Sequence, residues 1–174
     1  MNRRVLAIAA VVVGLLAGAL AGAGAAQAAP PDGFYQIKNA VNHRCLDAAV
    51  NIQLRKVHLW ECDSDESLQF WQFIDLGDGT FWIYNYSTRM CLWGVLGRHG
   101  SDVVNRVCDP SVTGLRWRWQ FADQQGHTVL TNSLTTPGGG ELCLAIDPYS
   151  SRNGARIALN ECATTSGQLW YAFR

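Results

Sequence analysis

The groups in this 174-residue chain that could do chemistry are few. Six cysteines stand at 45, 62, 91, 108, 143 and 162. Thiolates can hold zinc, but zinc sites bring in ligands as close pairs, and no C-x-x-C occurs here. An even count of well-separated cysteines fits disulfides better. Asp63, Asp65 and Glu66 form an acidic cluster. Two carboxyls could hydrolyse a glycoside if they faced each other across a cleft, about 5–10 Å apart. These three share one polar turn after Cys62, where a solvated loop is expected. His43, His58, His99 and His127 show no metal spacing, and no serine sits in a G-x-S-x-G elbow. The expectation is a protein without catalysis, metal or cofactor, whose chemistry is recognition.

The elements that must position such groups announce themselves as a repeat. The cysteines pair off at separations of 17, 17 and 19 residues. Six cysteines permit 15 pairings, but equal spacing in equal context selects Cys45–Cys62, Cys91–Cys108 and Cys143–Cys162. Ahead of each pair stands an apolar residue two before an Asn: Ile37-Lys38-Asn39, Ile83-Tyr84-Asn85 and Leu130-Thr131-Asn132. The gap from Asn to cysteine is 6, 6 and 11 residues, so segment three carries an insertion within Ser133 to Glu141. Leucine follows each first cysteine, at 46, 92 and 144. Late in each segment comes a tryptophan, read here as Trp71, Trp119 and Trp170 because Trp71-Gln72-Phe73 and Trp119-Gln120-Phe121 continue identically. A residue kept in every segment is expected to anchor shared packing. A unit of about 48 residues cannot bury both faces of its strands alone. Three units can share one core about a pseudo-threefold axis, and each disulfide should add roughly 3 kcal/mol by closing its loop.

The N-terminus reads as an export signal. Arg3 and Arg4 precede an apolar run from Val5 to about Leu20, and Ala26-Gln27-Ala28 supplies a small-x-small cleavage pattern. The uncharged run is long enough to span a bilayer, but its second half is Ala and Gly and it ends in a processing pattern. Residues 1–28 are therefore expected to be a signal peptide and 29–174 a single extracellular domain, free of the membrane once cleaved. The Arg-Arg pair leaves the Sec and Tat routes both open. Without Arg3 and Arg4 the chain has 12 basic and 14 acidic residues and no basic run, which argues against nucleic acid. Short aromatic and β-branched runs punctuated by Gly, Asn, Asp and Pro point to an all-β chain.

Cys45-Leu46-Asp47, Leu59-Trp60-Glu61-Cys62 and Gln69-Phe70-Trp71 resemble one repeat of the ricin B-type lectin β-trefoil. Gln168-Leu169-Trp170 repeats that family's Q-x-W signature, while segment two, read as Trp117-Arg118-Trp119, has lost the Gln. The resemblance implies a β-trefoil with repeats at about 33–79, 80–126 and 127–174. Twelve strands are implied, six in a short barrel and six capping it, with up to three shallow sugar sites.

Family members bind sugar with an acid two residues after the first cysteine, which accepts from neighbouring hydroxyls. An aromatic residue two before the second cysteine stacks on the apolar face of the ring. Repeat one keeps both, as Asp47 and Trp60, with His58 flanking and Gln69 opening Q-x-W. It has Leu68 where binding members often have an Asn that contacts the sugar. Repeat two has Trp93 for the acid, Arg106 for the aromatic and Arg116-Trp117 for the polar pair, and so is expected to bind no sugar. Repeat three has Ala145 and Asn160 at these positions and keeps Gln168; a rebuilt site would draw on Asp147, Tyr149, Asn160 and Gln168. The implied partner is a glycan or polysaccharide, galactose-type among the candidates.

The rival expectation is a protein-binding trefoil, an inhibitor or the adaptor of a secreted complex. Trp93, Arg106, Arg116 and Trp117, beside Arg118, gather in one repeat the residue types common at interface hot spots. On the export reading, N-terminal sequencing of the protein recovered from the culture medium should begin at Ala29. A chain that keeps Met1 and stays with the membrane would reverse it.

Overall fold

The structure, a computed structural model, describes residues 32–49, 53–146, 150, 152–163 and 165–174. The expected signal peptide, Asp147 and Tyr149 lie outside them. Repeat one contributes β1 (Tyr35–Asn39), β2 (Cys45–Asp47), β3 (His58–Trp60) and β4 (Phe70–Asp75). Repeat two gives β5 (Phe81–Asn85), β6 (Cys91–Gly94), β7 (Ser101–Arg106) and β8 (Trp117–Phe121). Repeat three gives β9 (Thr128–Thr135), β10 (Glu141–Ile146), β11 (Ala155–Glu161) and β12 (Trp170–Phe173). A single 3-10 turn precedes the last strand of each repeat, at Ser67–Gln69, Thr113–Leu115 and Ser166–Gln168.

The first and last strands of the repeats close on themselves. β1 pairs with β4, β4 with β5, β5 with β8, β8 with β9, β9 with β12, and β12 returns to β1, all antiparallel. This is a six-stranded barrel without a free edge. The middle strands form hairpins β2–β3, β6–β7 and β10–β11, and β11 joins the other two hairpins by pairing with β3 and β7. The molecule is thus the β-trefoil that the family resemblance implied. Its cysteines are joined as Cys45–Cys62, Cys91–Cys108 and Cys143–Cys162, with Cα atoms 5.0–5.2 Å apart.

The three repeats put equivalent residues into one core. Ile37, Ile83 and Leu130 from the barrel meet Leu46, Leu92 and Leu144 from the hairpins, all fully buried. The indole N–H of Trp71 donates to the Leu46 carbonyl at 2.8 Å, that of Trp117 to Leu92 at 2.9 Å, and that of Trp170 to Leu144 at 2.9 Å. A buried indole nitrogen requires such a partner.

These bonds correct the register of repeat two. Its anchor is Trp117, not Trp119, and its Q-x-W position reads Leu115-Arg116-Trp117. Trp117 faces Asn132 across the sheet as Trp71 faces Asn85 and Trp170 faces Asn39. Trp119 is the counterpart of Phe73 and meets that ring edge-on, with centroids 4.9 Å apart. The identical Trp-Gln-Phe triplets are offset by two residues, and because strand side chains alternate with period two, both Trp117 and Trp119 face inward. Repeat three has small Thr128 and Ala172 where the others have Tyr35 or Phe81 and Phe73 or Trp119. Large side chains from two repeats therefore fill the barrel end and small ones from the third leave room.

Each Asn of the repeated motif latches its repeat to the one before. Asn85 donates to the carbonyls of Leu68 and Phe70 at 2.7 and 3.2 Å, and Asn132 to Gly114 at 2.9 Å. Asn39 closes the circle by donating to Gly167 and Leu169 at 3.3 and 3.1 Å. The five-residue insertion lengthens the β9–β10 hairpin, whose turn is closed by Thr136 and Gly140. Trp117→Ala should cost about 3–5 kcal/mol in urea unfolding; a loss under 1 kcal/mol would mean that Trp117 is no core anchor.

Candidate functional site

Asp47 ends β2 directly opposite His58 on β3, and Cys45 opposes Trp60. Strand alternation then sets His58 and Trp60 on one face of the short hairpin, with ring centroids 5.5 Å apart. The 3-10 turn Ser67–Gln69 supplies the opposite wall. Between them lies a groove of about 490 Å³ lined by Asp47, Ala49, His58, Trp60, Asp63, Glu66, Leu68 and Gln69. The structure therefore brings together all four residues that the sequence put in repeat one.

The groove is built around a buried carboxylate. Asp47 is only 5 % exposed. Its Oδ1 accepts from the Ala49 backbone N–H at 2.6 Å, and its Oδ2 from the Gln69 side-chain amide at 3.2 Å. An ionised carboxylate has about four acceptor positions, so capacity remains for hydroxyl donors. Asp47 is thus at once a turn residue bonding its own backbone and the acid of the groove.

Gln69 is wholly buried. Its amide donates also to the Glu61 carbonyl at 2.9 Å, and its oxygen accepts from Asp63 N–H and from Gln36 at 3.0 and 3.1 Å. It holds the strands on both sides of Cys62 and aims Asp47. Gln168 makes the same bridge in repeat three, to Glu161 O and from Ala163 N–H, at 2.8 and 2.9 Å. The Gln of Q-x-W is therefore a strut in this chain, and in repeat two apolar Leu115 occupies its place.

His58 stands 3.6 Å from Asp47 through Nε2. Burial holds its pKa below the usual 6.5, partly offset by the Asp47 charge, so the ring is neutral near pH 7. As pH falls through 6.5 the unfolded chain takes up this proton before the folded one, and stability declines there. Trp60 offers the open face, at 44 % exposure. Its strand is braced by repeat three, where Asn153 Oδ1 accepts from Glu61 N–H at 2.8 Å and from Arg44. Gly154, with φ near +80°, donates to Leu59 O at 2.8 Å and packs beside the Trp60 ring. Asp63 and Glu66 line the groove too, but each turns a carboxylate oxygen to a backbone N–H, of Asp65 at 2.9 Å and Leu68 at 3.0 Å.

The equivalent grooves differ. In repeat two the Trp93 ring fills the space: a Cβ on Gly114 would sit 2.7 Å from its indole nitrogen. Arg106 covers that ring at 4.5 Å. Gly114-Leu115, rather than Arg116-Trp117, stand where repeat one has Leu68-Gln69. Trp117 is fully buried and is removed from the expected interface. Arg116 pairs with Asp78 at 2.6 Å and donates to Pro110 O at 3.1 Å, stapling the β4–β5 loop to the loop that follows β7. In repeat three, Ala145 is buried, Asn160 accepts from Gly100 N–H at 3.2 Å, and Gln168 is the strut described above.

Comparison with known proteins agrees with this fold. The profile of the ricin-type β-trefoil lectin domain matches residues 25–117, more than half of the chain. The chain belongs to that family. No curated protein matches it significantly in sequence. Among solved structures, the designed threefold-symmetric protein ThreeFoil superposes with a TM-score of 0.74 at 19 % identity, covering 82 % of this chain and 99 % of its own. The Macrolepiota procera ricin B-like lectin, solved with lactose, gives 0.67 at 16 % identity, covering 85 % and 99 %. The exo-β-1,3-galactanase of Clostridium thermocellum gives 0.71 at 18 % identity, and this ricin-type trefoil covers 83 % of itself but only 31 % of that enzyme. These likenesses establish the fold.

The ricin-type motif located Asp47, His58, Trp60 and Gln69; it did not reveal Asp63, Glu66 or the Asn153–Gly154 brace, which reach the groove from a loop and from another repeat. An NMR titration should place the His58 midpoint below 6.5, and Asp47→Asn should lower it further by removing the neighbouring charge. A midpoint above 6.5 would contradict the burial argument.

Proposed function

We propose that this ricin-type trefoil is an exported, non-catalytic carbohydrate-binding module that takes a galactose-type glycan in repeat one. The observation that carries the reading is the Asp47 carboxylate, clamped by Gln69 and Ala49 beside the exposed Trp60 ring in an open groove. A sugar presents adjacent hydroxyls on its edge and C–H groups on its face. A fixed acceptor next to an aromatic platform matches both at once. Neutral His58 can exchange one further hydrogen bond. The lactose bound by the Macrolepiota procera lectin supports the choice of galactosides as first ligands. The other carboxylates lining the groove, of Asp63 and Glu66, are engaged with backbone N–H groups, which favours binding over hydrolysis.

A second reading rests on repeat two. There Trp93 and Arg106 stack on each other beside Val107, which is 56 % exposed. An Arg-on-Trp surface suits a secreted protein partner. Co-purification of such a partner that is lost with Arg106→Ala, and kept with Asp47→Asn, would favour it.

The test of the sugar reading is a glycan array of mono- to hexasaccharides of galactose, glucose, mannose and xylose. Asp47→Asn and Trp60→Ala should each weaken binding about thirty- to hundredfold, as expected for a lost charge-assisted pair or ring contact. Leu68→Asn should strengthen it about three- to tenfold by adding a hydroxyl partner. Silence of the wild type across the array would end the reading.

A further inference from the structure

The Ser67–Gln69 turn has a second face. Leu68 and Gln69, with Asp63 and Glu66, look toward Asp47. Asp65, Ser67 and Phe70, from the same stretch, line a separate hollow of about 260 Å³ together with Phe34 and Tyr86. One short segment is thus the common wall of two depressions.

The second hollow differs from the first: the surface it presents is almost wholly apolar, and three of its five lining residues are aromatic. Phe34 and Tyr86 meet edge-to-face with centroids 4.9 Å apart, and Tyr86 is 49 % exposed. Asp65 and Ser67 complete the lining but bring almost no polar surface to it. The walls are fixed before anything binds. Tyr86 N–H donates to Phe70 O at 2.9 Å, Asn85 holds Leu68 and Phe70 through their carbonyls, and Glu66 caps the turn through Leu68 N–H. Exposed aromatic area held rigid by backbone bonds costs little entropy to use. Neither the barrel nor the hairpins need this ring open to solvent, since the core is complete without it.

We propose that the ligand is a short oligosaccharide, with one ring on Asp47 and Trp60 and a later ring crossing the turn to stack in the Phe34–Phe70–Tyr86 hollow. This rests on the sugar reading of repeat one. Continuity decides the occupant: the segment that walls the groove also walls the hollow, and aromatic faces are what a further sugar ring stacks on. Two weak contacts on one chain act together through effective concentration, which compensates for the shallowness of each.

The experiment uses the same array together with methyl and octyl galactosides. Wild-type binding should strengthen from monosaccharide to tetrasaccharide by about tenfold or more. Tyr86→Ala should remove that gain and leave monosaccharide binding unchanged, while Tyr86→Phe should keep it, because the ring face is what stacks. Circular dichroism melting checks that Tyr86→Ala, a change at an exposed position, leaves the fold intact. Phe34→Ser gives the same comparison if it does not. Binding that is independent of length, or a length gain that survives both variants, overturns the proposal and leaves the sugar reading standing. A gain confined to the octyl galactoside assigns the hollow to an apolar aglycone and also overturns it. No binding by wild type at any length removes the sugar reading and this proposal together.

Discussion

The side-chain amide of Asn85 leaves repeat two and binds the carbonyls of Leu68, within the 3-10 turn of repeat one, and Phe70, just after it. Its oxygen meanwhile accepts from Ser87 and Thr88 N–H in its own repeat. Asn39 and Asn132 do the same work at the other two junctions. Backbone N–H groups of Ala48, Tyr86 and Ala40 also reach Leu68, Phe70 and Leu169, so the Asn amides give these carbonyls a second donor, while Gly114 and Gly167 take theirs from Asn132 and Asn39. A buried carbonyl deprived of its donor costs about 1–3 kcal/mol. The trefoil is therefore a ring of three mutual obligations, and the tryptophan anchors, the strands and the groove hang on it.

The groove of repeat one depends on the ring in a direct way. The turn that Asn85 holds is the turn whose Gln69 clamps Asp47. On the far side, the Asn153–Gly154 turn of repeat three braces β3 beside Trp60. One shallow site thus draws its rigidity from all three repeats. Buried polar networks of this kind are stiff when every member has its partners, and Gln36, Asp47, Asp63 and Gln69 have them. The other grooves went another way. Trp93 exchanged an open cleft for a packed ring, and Ala145 gave up the acid.

Much of this was legible because three copies of one pattern check each other. Cysteine spacing carried the disulfides, and the apolar-x-Asn and Cys-Leu motifs carried the barrel and its caps. The acid, the aromatic and Gln69 carried the groove. What misled was Trp117-Arg118-Trp119. Two tryptophans two apart on a strand both point inward, and matching the following Gln-Phe chose the wrong one. Counting from the first cysteine resolves it, since Trp71 and Trp117 each lie 26 residues on. The role of Gln69 was only half visible, because sequence marks a polar residue but not which of its partners are backbone. The Phe34–Tyr86 hollow was not legible at all. Its rings lie 52 positions apart in different repeats and meet only when the barrel closes.

That closure also joins the first strand to the last. β12 pairs with β1, Arg174 donates to the Tyr35 hydroxyl at 2.9 Å, and Asn39 waits on carbonyls some 130 residues later. The first repeat is therefore unfinished until the last has emerged. Native contacts of such long sequence separation make folding slow and cooperative. A ribosome releasing this chain from its N-terminus delivers nothing stable by halves, because the barrel cannot close until β12 has followed the Ser166–Gln168 turn.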